Sequence, residues 1–366
     1  MAASRLHELS AHGVSVWIDS LSREMLDTGE LGRLIAEDAV VGQTSNPTIF
    51  EKALSQGDWY DDQLRAEFHE EDDAKEIFLA LAVQDVQRAC DVFRPVWERT
   101  VGRDGFVSLE VDPDLAYERD ATFREAARLT ELVSRPNLFV KIPATEPGLG
   151  AIEDSIAAGR SINVTLIFSL ERYSAVAEAY VRGLERLVEA GGDPDTVASV
   201  ASFFVSRVDT ETDARLEALG RQDLAGKLAV ANAKLAYERY LDVFSGDRWH
   251  RLAAAGARSQ RCLWASTSTK NPAYRDVLYV EDLIGPDTVN TMPVETIAAF
   301  QDHGVSADTL TEGLDEAHAL LVELAAAGVD YDDVVATLEA EGVQKFADSF
   351  RSLLDGIRAK RAMLAV

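Results

Sequence analysis

Eight short runs with the composition of β-strands alternate with longer stretches of helical periodicity, and this alternation constrains the fold more than any other feature of the sequence. The predicted strands are Val14–Asp19, Ala39–Thr44, Gly105–Val111, Leu138–Ile142, Ile162–Phe168, Val197–Val205, Cys262–Ser266 and Thr288–Thr291. Such alternation is typical of βα units on a parallel sheet. Eight units predict a (β/α)8 TIM barrel with additional helices, although an open doubly wound sheet would give a similar pattern.

Helical periodicity fills the segments between these runs and the segment after the last one. The predicted helices are Ala74–Trp97, Ala116–Val133, Leu170–Ala190, Thr212–Phe244, Val294–Asp302, Ala307–Ala326, Tyr331–Glu341 and Val343–Met363. No linker-like segment divides the chain, so we expect one domain over residues 1–366, with barrel strands in about 14–293 and C-terminal helices in about 294–366. These last helices either cover the barrel or form the interface of a homodimer.

Charge and motif content exclude several classes of function. Lys and Arg number 36 against 63 Asp and Glu, a net charge of −27, so nucleic acid and anionic membranes are poor partners. No apolar stretch approaches the roughly 18 residues of a spanning helix, and with two cysteines, Cys90 and Cys262, we expect a reducing, cytoplasmic location without disulfides. The histidines lack metal-ligand spacing, and the acidic run at 70–73 fits a helix start better than a metal site. We therefore expect no metal and no cofactor.

The alternation of side chains along the strands is the most informative pattern. Successive side chains of a strand point to opposite faces. In the first, third, fourth and fifth strands one face is aliphatic, and the other carries Asp19, Glu110, Lys141, Asn163 and Thr165. In a barrel this second face points inward, and catalytic groups gather at the carboxyl ends of the strands. A buried structural ion network is the alternative, but burying charges costs several kcal/mol, by rough estimate, so stability alone seldom selects it.

These residue types fit Schiff-base chemistry. Lys141 lies among apolar neighbours, and a lysine amine that loses its hydration can serve as a nucleophile toward a carbonyl. The resulting iminium withdraws electrons and allows an adjacent carbon–carbon bond to break. Glu110 could then serve carbinolamine formation and dehydration through a water, and Asp19 could take the hydroxyl proton whose loss drives cleavage. Asn46, Asn163 and Thr165 would hold substrate hydroxyls and the water.

Five motifs, in order along the chain, resemble the strand motifs of the transaldolase family, and most closely those of its longer bacterial members. They are VWIDS at 16–20, TSNPT at 44–48, VSLEVD at 107–112, VKIPAT at 140–145 and NVTLIFS at 163–169. The resemblance implies a cofactor-free, metal-free enzyme that moves a dihydroxyacetone unit from sedoheptulose 7-phosphate to glyceraldehyde 3-phosphate, giving erythrose 4-phosphate and fructose 6-phosphate in the non-oxidative pentose phosphate pathway. Lys141 matches the family's Schiff-base lysine, Glu110 its acid/base glutamate and Asp19 its proton-transferring aspartate, while Asn46, Asn163 and Thr165 match polar positioning residues.

The resemblance also assigns residues after the sixth and seventh strands. Ser202 matches a contact to the dihydroxyacetone end, Phe204 the wall of that pocket and Arg207 a phosphate ligand. The chain lacks the family's second phosphate-binding arginine, and we hypothesise that Ser266, Ser268 and Lys270 replace it. A capped turn before Asn271-Pro272 is the alternative interpretation.

Three rival functions remain at this stage. The first is a fructose 6-phosphate aldolase, which uses the same lysine but releases free dihydroxyacetone; such relatives are shorter and carry glutamine and tyrosine where this chain has Glu110 and Phe204. The second is a retaining glycosidase built on Asp19 and Glu110, which gives Lys141 no role. The third is an inactive barrel that serves as a sugar-phosphate binding scaffold.

Overall fold

The computed structural model describes residues 4–69 and 72–364. The strands are β1 Val14–Asp19, β2 Val40–Thr44, β3 Val107–Glu110, β4 Leu138–Pro143, β5 Ile162–Ile167, β6 Ser199–Phe204, β7 Arg261–Ala265 and β8 Thr288–Met292. The helices are α1 Arg5–Ala11, α2 Arg23–Asp27, α3 Glu30–Glu37, α4 Pro47–Ser55, α5 Asp61–Glu67, α6 Ala74–Arg99, α7 Arg119–Val133, α8 Glu146–Ala157, α9 Leu170–Glu189, α10 Ser206–Leu219, α11 Leu228–Val243, α12 Asp247–Ala254, α13 Leu278–Glu281, α14 Val294–His303, α15 Leu314–Ala327 and α16 Tyr331–Leu364.

The eight strands form a closed parallel barrel in sequential order, and β1 pairs with β8 to close it. The prediction of a (β/α)8 barrel is therefore confirmed, and the open doubly wound sheet is excluded. All eight strands lie where the alternation predicted them, with ends that differ by no more than two residues.

The strand faces separate as the alternation predicted. Trp17, Phe106 and Phe139 fill the barrel interior. The ring centroids of Phe106 and Phe139 lie 4.1 Å apart in a stacked arrangement, and those of Trp17 and Phe139 lie 6.0 Å apart with the rings tilted. The aliphatic side chains on the opposite faces belong to the core between strands and helices. Because the interior is filled by aromatic rings at this depth, open space for a ligand lies toward the ends of the strands.

A buried ion pair closes the amino-terminal end of the barrel. Arg261 Nη2 lies 3.0 Å from Asp104 Oδ1, and both side chains are less than a tenth exposed. Ser15 Oγ and Trp17 Nε1 also donate to the Asp104 carboxylate, at 2.8 and 3.2 Å. The charges are thus compensated by hydrogen bonds, as buried ion pairs require.

The single helix predicted over Thr212–Phe244 is wrong, because the chain forms α10 and α11 with a break at 220–227. Gly220 adopts φ +70° and ends α10. Carboxylates of α10 then hold the start of the next helix: Asp213 accepts from the Gly226 backbone N–H and Asp209 from that of Ala229. The chain therefore forms two helices, because the glycine stabilises the end of α10 and the two carboxylates stabilise the start of α11.

The C-terminal predictions need two corrections. The helix predicted from Ala307 begins only at Leu314, after Gly313 in the left-handed conformation. The two helices predicted on either side of Gly342 are one helix, the 34-residue α16. A Cβ at Gly342 would lie 3.1 Å from Leu166 and 3.4 Å from Phe168, so this glycine lets α16 approach the carboxyl end of β5 closely rather than ending the helix.

Predictions for the acidic run, the cysteines and membrane spans can be compared with the structure. Asp73, from the acidic run, caps α6 and accepts from the Lys75 backbone N–H, whereas Glu70 and Glu71 lie outside the described residues. Cys90 and Cys262 are both buried free thiols. Over the residues that the structure describes, no helix combines the length and the apolar character needed to cross a membrane.

Gly42 offers a test of the packing inside the barrel. A Cβ at this position would lie 2.4 Å from the Trp17 indole, so we expect Gly42→Ala to lower the free energy of unfolding by about 1–3 kcal/mol through overpacking. Gly32 on α3 has no atom within 4 Å of such a Cβ, and Gly32→Ala should instead stabilise by about 0.5–1 kcal/mol. Urea unfolding of both variants checks this; equal effects at the two sites would contradict the packing argument.

Candidate active site

A cleft of about 1050 Å³ opens at the carboxyl ends of the strands and brings together most of the predicted site residues. Ten of them line it: Asp19, Asn46, Lys141, Thr165, Ser202, Phe204, Arg207, Ser266, Ser268 and Lys270. Two do not. Asn163 lies one layer deeper in the barrel, and Glu110 lines a neighbouring cavity instead.

Lys141 lies on β4 with its amine enclosed by polar and aromatic groups. Its Nζ donates to the backbone carbonyl of Ser45 at 3.2 Å and lies 3.4 Å from Glu110 Oε2. The ring of Phe346, from α16, lies 5.5 Å from the same nitrogen. Only 6 % of the Lys141 side chain is exposed, so an amine here is desolvated and faces both a carboxylate and a π-face.

Glu110 is the next residue across from Lys141 in the β3–β4 register, and its side chain is also only 6 % exposed. Burial raises the pKa of the Glu110 carboxyl to about 7, although the positive charge of Lys141 opposes this shift. Oε2 accepts no well-aligned hydrogen bond, so the contact with Lys141 is an ion pair of loose geometry. A carboxyl in this state can both give and take a proton near neutral pH.

Asp19 ends β1, which precedes the strand of Glu110 by two places and that of Lys141 by three in the barrel order. Thr44 Oγ1 donates to it at 2.6 Å, and Thr44 is itself within 2.6 Å of Thr291 Oγ1. Burial raises the pKa of the Asp19 carboxyl, while the charges of Lys141 and Arg207 and the Thr44 hydroxyl lower it. The result is a carboxylate that is more basic than an exposed one and lies beside the amine.

A row of polar side chains crosses the barrel beneath these groups. Asn163 Nδ2 donates to Ser108 Oγ at 3.0 Å, and Ser202 Oγ donates to Asn163 Oδ1 at 2.7 Å. Asn163 therefore orients Ser202, which lines the cleft. Thr165 Oγ1 is buried, lines the cleft and has no hydrogen-bond partner in the protein, so it is available to a ligand.

Asn46 is fixed by the helix that follows it. It is the N-cap of α4, and its side-chain oxygen accepts from the Ile49 backbone N–H at 3.0 Å. Pro47 at the first helical position favours this start. Because the oxygen is occupied by the cap, the amide N–H₂ is the part of Asn46 that can donate into the cleft.

Cationic and hydroxyl groups form the opposite wall. The Arg207 guanidinium stacks over Phe204 at 5.1 Å, and its Nη1 is buried without a partner. Lys270 Nζ donates to Ser268 Oγ at 2.6 Å. Ser266 adopts φ +58°, a conformation costly for serine, and two hydrogen bonds with Ser206 hold it there.

Among the cleft residues that the sequence analysis did not predict are Lys52 on α4, Glu295 on α14 and Phe346 on α16. Lys52 and Arg207 both lower the pKa of the Lys270 ammonium, after the larger effect of burial, while Glu295 raises it. Glu295 follows β8 by three residues, and its position just past a strand end was a usable signal. Lys52 and Phe346 lie on helices where nothing in the sequence distinguishes them.

The sequence matches the model of the transaldolase/fructose-6-phosphate aldolase family over residues 16–357. The chain belongs to this family. Similar members include a transaldolase of Frankia alni, 54 % identical over 356 residues and 96 % of each chain, and one of Acidothermus cellulolyticus, 55 % identical over 351 residues, 95 % of this chain and 94 % of the other. Transaldolase 2 of Streptomyces coelicolor is 50 % identical over 364 residues and 98 % of each chain. The predicted resemblance to the transaldolase family is confirmed.

The protonation of Glu110 gives a testable pH dependence. We expect an infrared carboxyl band that titrates near pH 7 and is absent from Glu110→Gln. The pKa of this group in the folded protein lies above the ordinary 4.5, so the folded state binds a proton that the unfolded state releases. The free energy of unfolding of the wild type should therefore fall, relative to that of Glu110→Gln, as the pH rises from about 4.5 to 7. A band lost by pH 5 would contradict this.

Proposed function

We propose that the protein is a transaldolase that moves a dihydroxyacetone unit from sedoheptulose 7-phosphate to glyceraldehyde 3-phosphate, giving erythrose 4-phosphate and fructose 6-phosphate, in the non-oxidative pentose phosphate pathway. The protein is an enzyme of the transferase class, as are its transaldolase relatives. The observation that carries the mechanism is the buried Lys141 amine beside the Glu110 carboxyl, with Asp19 in the same cleft.

The first stage joins the ketose to Lys141. The neutral amine attacks the C2 carbonyl and forms a carbinolamine. Glu110, protonated in part at neutral pH because its pKa is about 7, gives a proton to the carbinolamine hydroxyl, which leaves as water while the nitrogen lone pair forms the iminium. The 3.4 Å between Lys141 Nζ and Glu110 Oε2 leaves the carboxyl within reach of this hydroxyl, directly or through one water.

The second stage breaks and remakes a carbon–carbon bond. Asp19 takes the proton of the C4 hydroxyl, the C3–C4 bonding electrons move toward the iminium, and an aldehyde leaves behind an enamine on Lys141. The acceptor aldehyde then reacts by the reverse sequence, and water releases the new ketose. Burial makes Asp19 more basic than an exposed aspartate, and the Thr44 hydroxyl fixes its orientation.

Neighbouring side chains would hold the substrate in register. The Asn46 amide and the unpartnered Thr165 hydroxyl are free to bind sugar hydroxyls. Ser202, oriented by Asn163, would bind the dihydroxyacetone end, and Phe204 would form the wall beside it. Glutamate at 110 and phenylalanine at 204 favour transfer over release of free dihydroxyacetone, which is why we prefer a transaldolase to a fructose 6-phosphate aldolase.

The phosphate would bind at the cationic wall of the cleft. Arg207 has a buried N–H without a partner, and Lys270, Ser268 and Ser266 supply an ammonium and two hydroxyls nearby. Lys52 adds a third cation to the site. A homodimer, a cytoplasmic location and the single-domain assignment stay predictions of the sequence.

Trapping of the intermediate tests the assignment of Lys141. The protein is reduced with borohydride in the presence of fructose 6-phosphate and analysed by peptide mass spectrometry. We expect a dihydroxyacetone adduct on Lys141 of the wild type and no adduct in the Lys141→Ala variant. Asp19→Asn should lower turnover by about 10²–10⁴, because a proton acceptor is lost, yet still form a ketose adduct, since Asp19 acts after the iminium. A label on another lysine in active protein would refute the assignment.

The role of Lys270 in phosphate binding is separately measurable. Lys270→Ala should raise the KM of phosphorylated substrates by roughly tenfold, the size of one charge-assisted hydrogen bond, with a smaller change in kcat. The KM of unphosphorylated glyceraldehyde as acceptor should not change. Lys227 is exposed and lies outside the cleft lining, so Lys227→Ala is the matched control. An unchanged preference for the phosphorylated acceptor in Lys270→Ala would overturn the hypothesis.

A further inference from the structure

A second cavity, of about 700 Å³, lies beside the barrel and reaches Glu110 from the outside. Residues of β3, α4, α6, α7 and α16 line it. Glu110 belongs to the lining of this side cavity and not to that of the substrate cleft. Glu110, to which we assign the proton transfers of the Schiff base, therefore borders a space that is separate from the one that receives the sugar.

The side cavity reaches Glu110 through a gap between two strands. β2 and β3 pair in register only at Gln43 and Val107, whereas β3 and β4 stay paired up to Glu110 and Lys141. Beyond Gln43 the gap is bridged by a side chain, as Ser45 Oγ donates to the backbone carbonyl of Ser108 at 2.7 Å. The backbone pairing of β2 with β3 thus stops short of the level of Glu110.

Asn46 joins the two spaces, because it lines both the cleft and the side cavity. From there the side cavity runs between apolar walls to a charged outer rim. Phe50, Phe78, Leu79, Leu129 and Phe350 are among the wall residues. At the rim, Lys75 Nζ and Asp112 Oδ2 form an ion pair at 2.7 Å, and 42 % of the Lys75 side chain is exposed. The side cavity therefore runs from Glu110 and Asn46 to a rim that is exposed to solvent.

We propose that the side cavity is a route for water between solvent and Glu110, distinct from the mouth through which sugars pass. This inference rests on the proposed function, since it concerns the water of the Schiff base. When the iminium forms, the C2 oxygen leaves as water with a proton from Glu110. When the iminium is hydrolysed, a water gives a proton back to Glu110 and its oxygen becomes the new C2 oxygen, so one water leaves and one enters in each cycle.

The route solves a conflict within the site. A sugar bound in the cleft would fill the path from Lys141 to the mouth with its carbon chain, yet the reacting water must exchange with solvent. Asn46 at the inner end and the Lys75–Asp112 ion pair at the rim offer water polar partners at both ends of the cavity. The gap between β2 and β3 places this passage directly at the acid that needs it.

Oxygen isotopes test the route. Fructose 6-phosphate labelled with ¹⁸O at C2 is the donor and erythrose 4-phosphate the acceptor, and the label in the product ketose is measured by mass spectrometry at equal numbers of turnovers, with spontaneous exchange subtracted from a sample without enzyme. We expect the wild type to lose the label to solvent. Leu79→Trp, which fills the side cavity, should retain several-fold more label, because the departing water is held and used again.

Matched variants separate this effect from general damage. Leu132 is 42 % exposed on α7 and outside the cavity lining, so Leu132→Trp should lose the label as the wild type does. Leu129→Phe fills the side cavity from the opposite wall and carries the test if circular dichroism shows that Leu79→Trp does not fold. The route would be overturned if the folded variants with a filled side cavity lost as much label as the wild type. It would also be overturned if the wild type itself retained the label.

The same samples report on the proposed function independently. Borohydride adducts on Lys141 and formation of sedoheptulose 7-phosphate in the wild type establish the Schiff base without reference to the side cavity. Their absence would refute the transaldolase mechanism, whereas their presence with unchanged oxygen exchange in the filled variants would refute only the water route.

Discussion

The enclosure of Lys141 and Glu110 side by side in the barrel is the interaction on which the rest of the site depends. Each side chain is 6 % exposed, and each loses hydration that only the other, or a proton, can replace. Burial therefore raises the pKa of the Glu110 carboxyl, and it raises the pKa of the Asp19 carboxyl for the same reason. The closed barrel makes this possible, because strand pairing fixes Glu110 and Lys141 in adjacent register positions that cannot separate to relieve the cost.

The C-terminal helix completes the enclosure. α16 packs against α4, α6 and α10, and thus crosses the end of the barrel at which the cleft opens. Its Phe346 lies over the Lys141 amine, and its Ser349 lies within 2.8 Å of the Thr48 hydroxyl, which lines the cleft. Gly342 lets the helix come close enough for these contacts. Of the two roles that the sequence left open for the C-terminal helices, covering the barrel is the one that α16 fulfils.

The parts of the site that follow strand alternation were predictable, and the parts contributed by helices were not. Asp19, Glu110 and Lys141 could be placed because alternate residues of a strand share a face and the late positions lie at the barrel mouth. Phe346 and Lys52 lie on helix faces whose orientation is set by tertiary packing, which leaves no local trace in the sequence. The predictions of a continuous helix through 220–227 and of a helix end at Gly342 failed for one reason. A glycine ends a helix or admits a close neighbour depending on what lies beside it. The side cavity depends on where β2 and β3 stop pairing, which no pattern of residue types reveals.

The net charge of −27 and the proposed binding of sugar phosphates are compatible because the cations of the cleft are concentrated. Many surface arginines are paired with carboxylates, as Arg135 is with Asp91 and Arg248 with Glu185. In the cleft, by contrast, cations lie near one another. Burial lowers the pKa of the Lys270 ammonium, the charges of Arg207 and Lys52 lower it further, and the buried Arg207 Nη1 has no hydrogen-bond partner in the protein. Mutual repulsion and incomplete solvation make this wall unfavourable in the free protein. A phosphate dianion would relieve both at once, so much of its binding free energy would come from a cost already present in the folded chain.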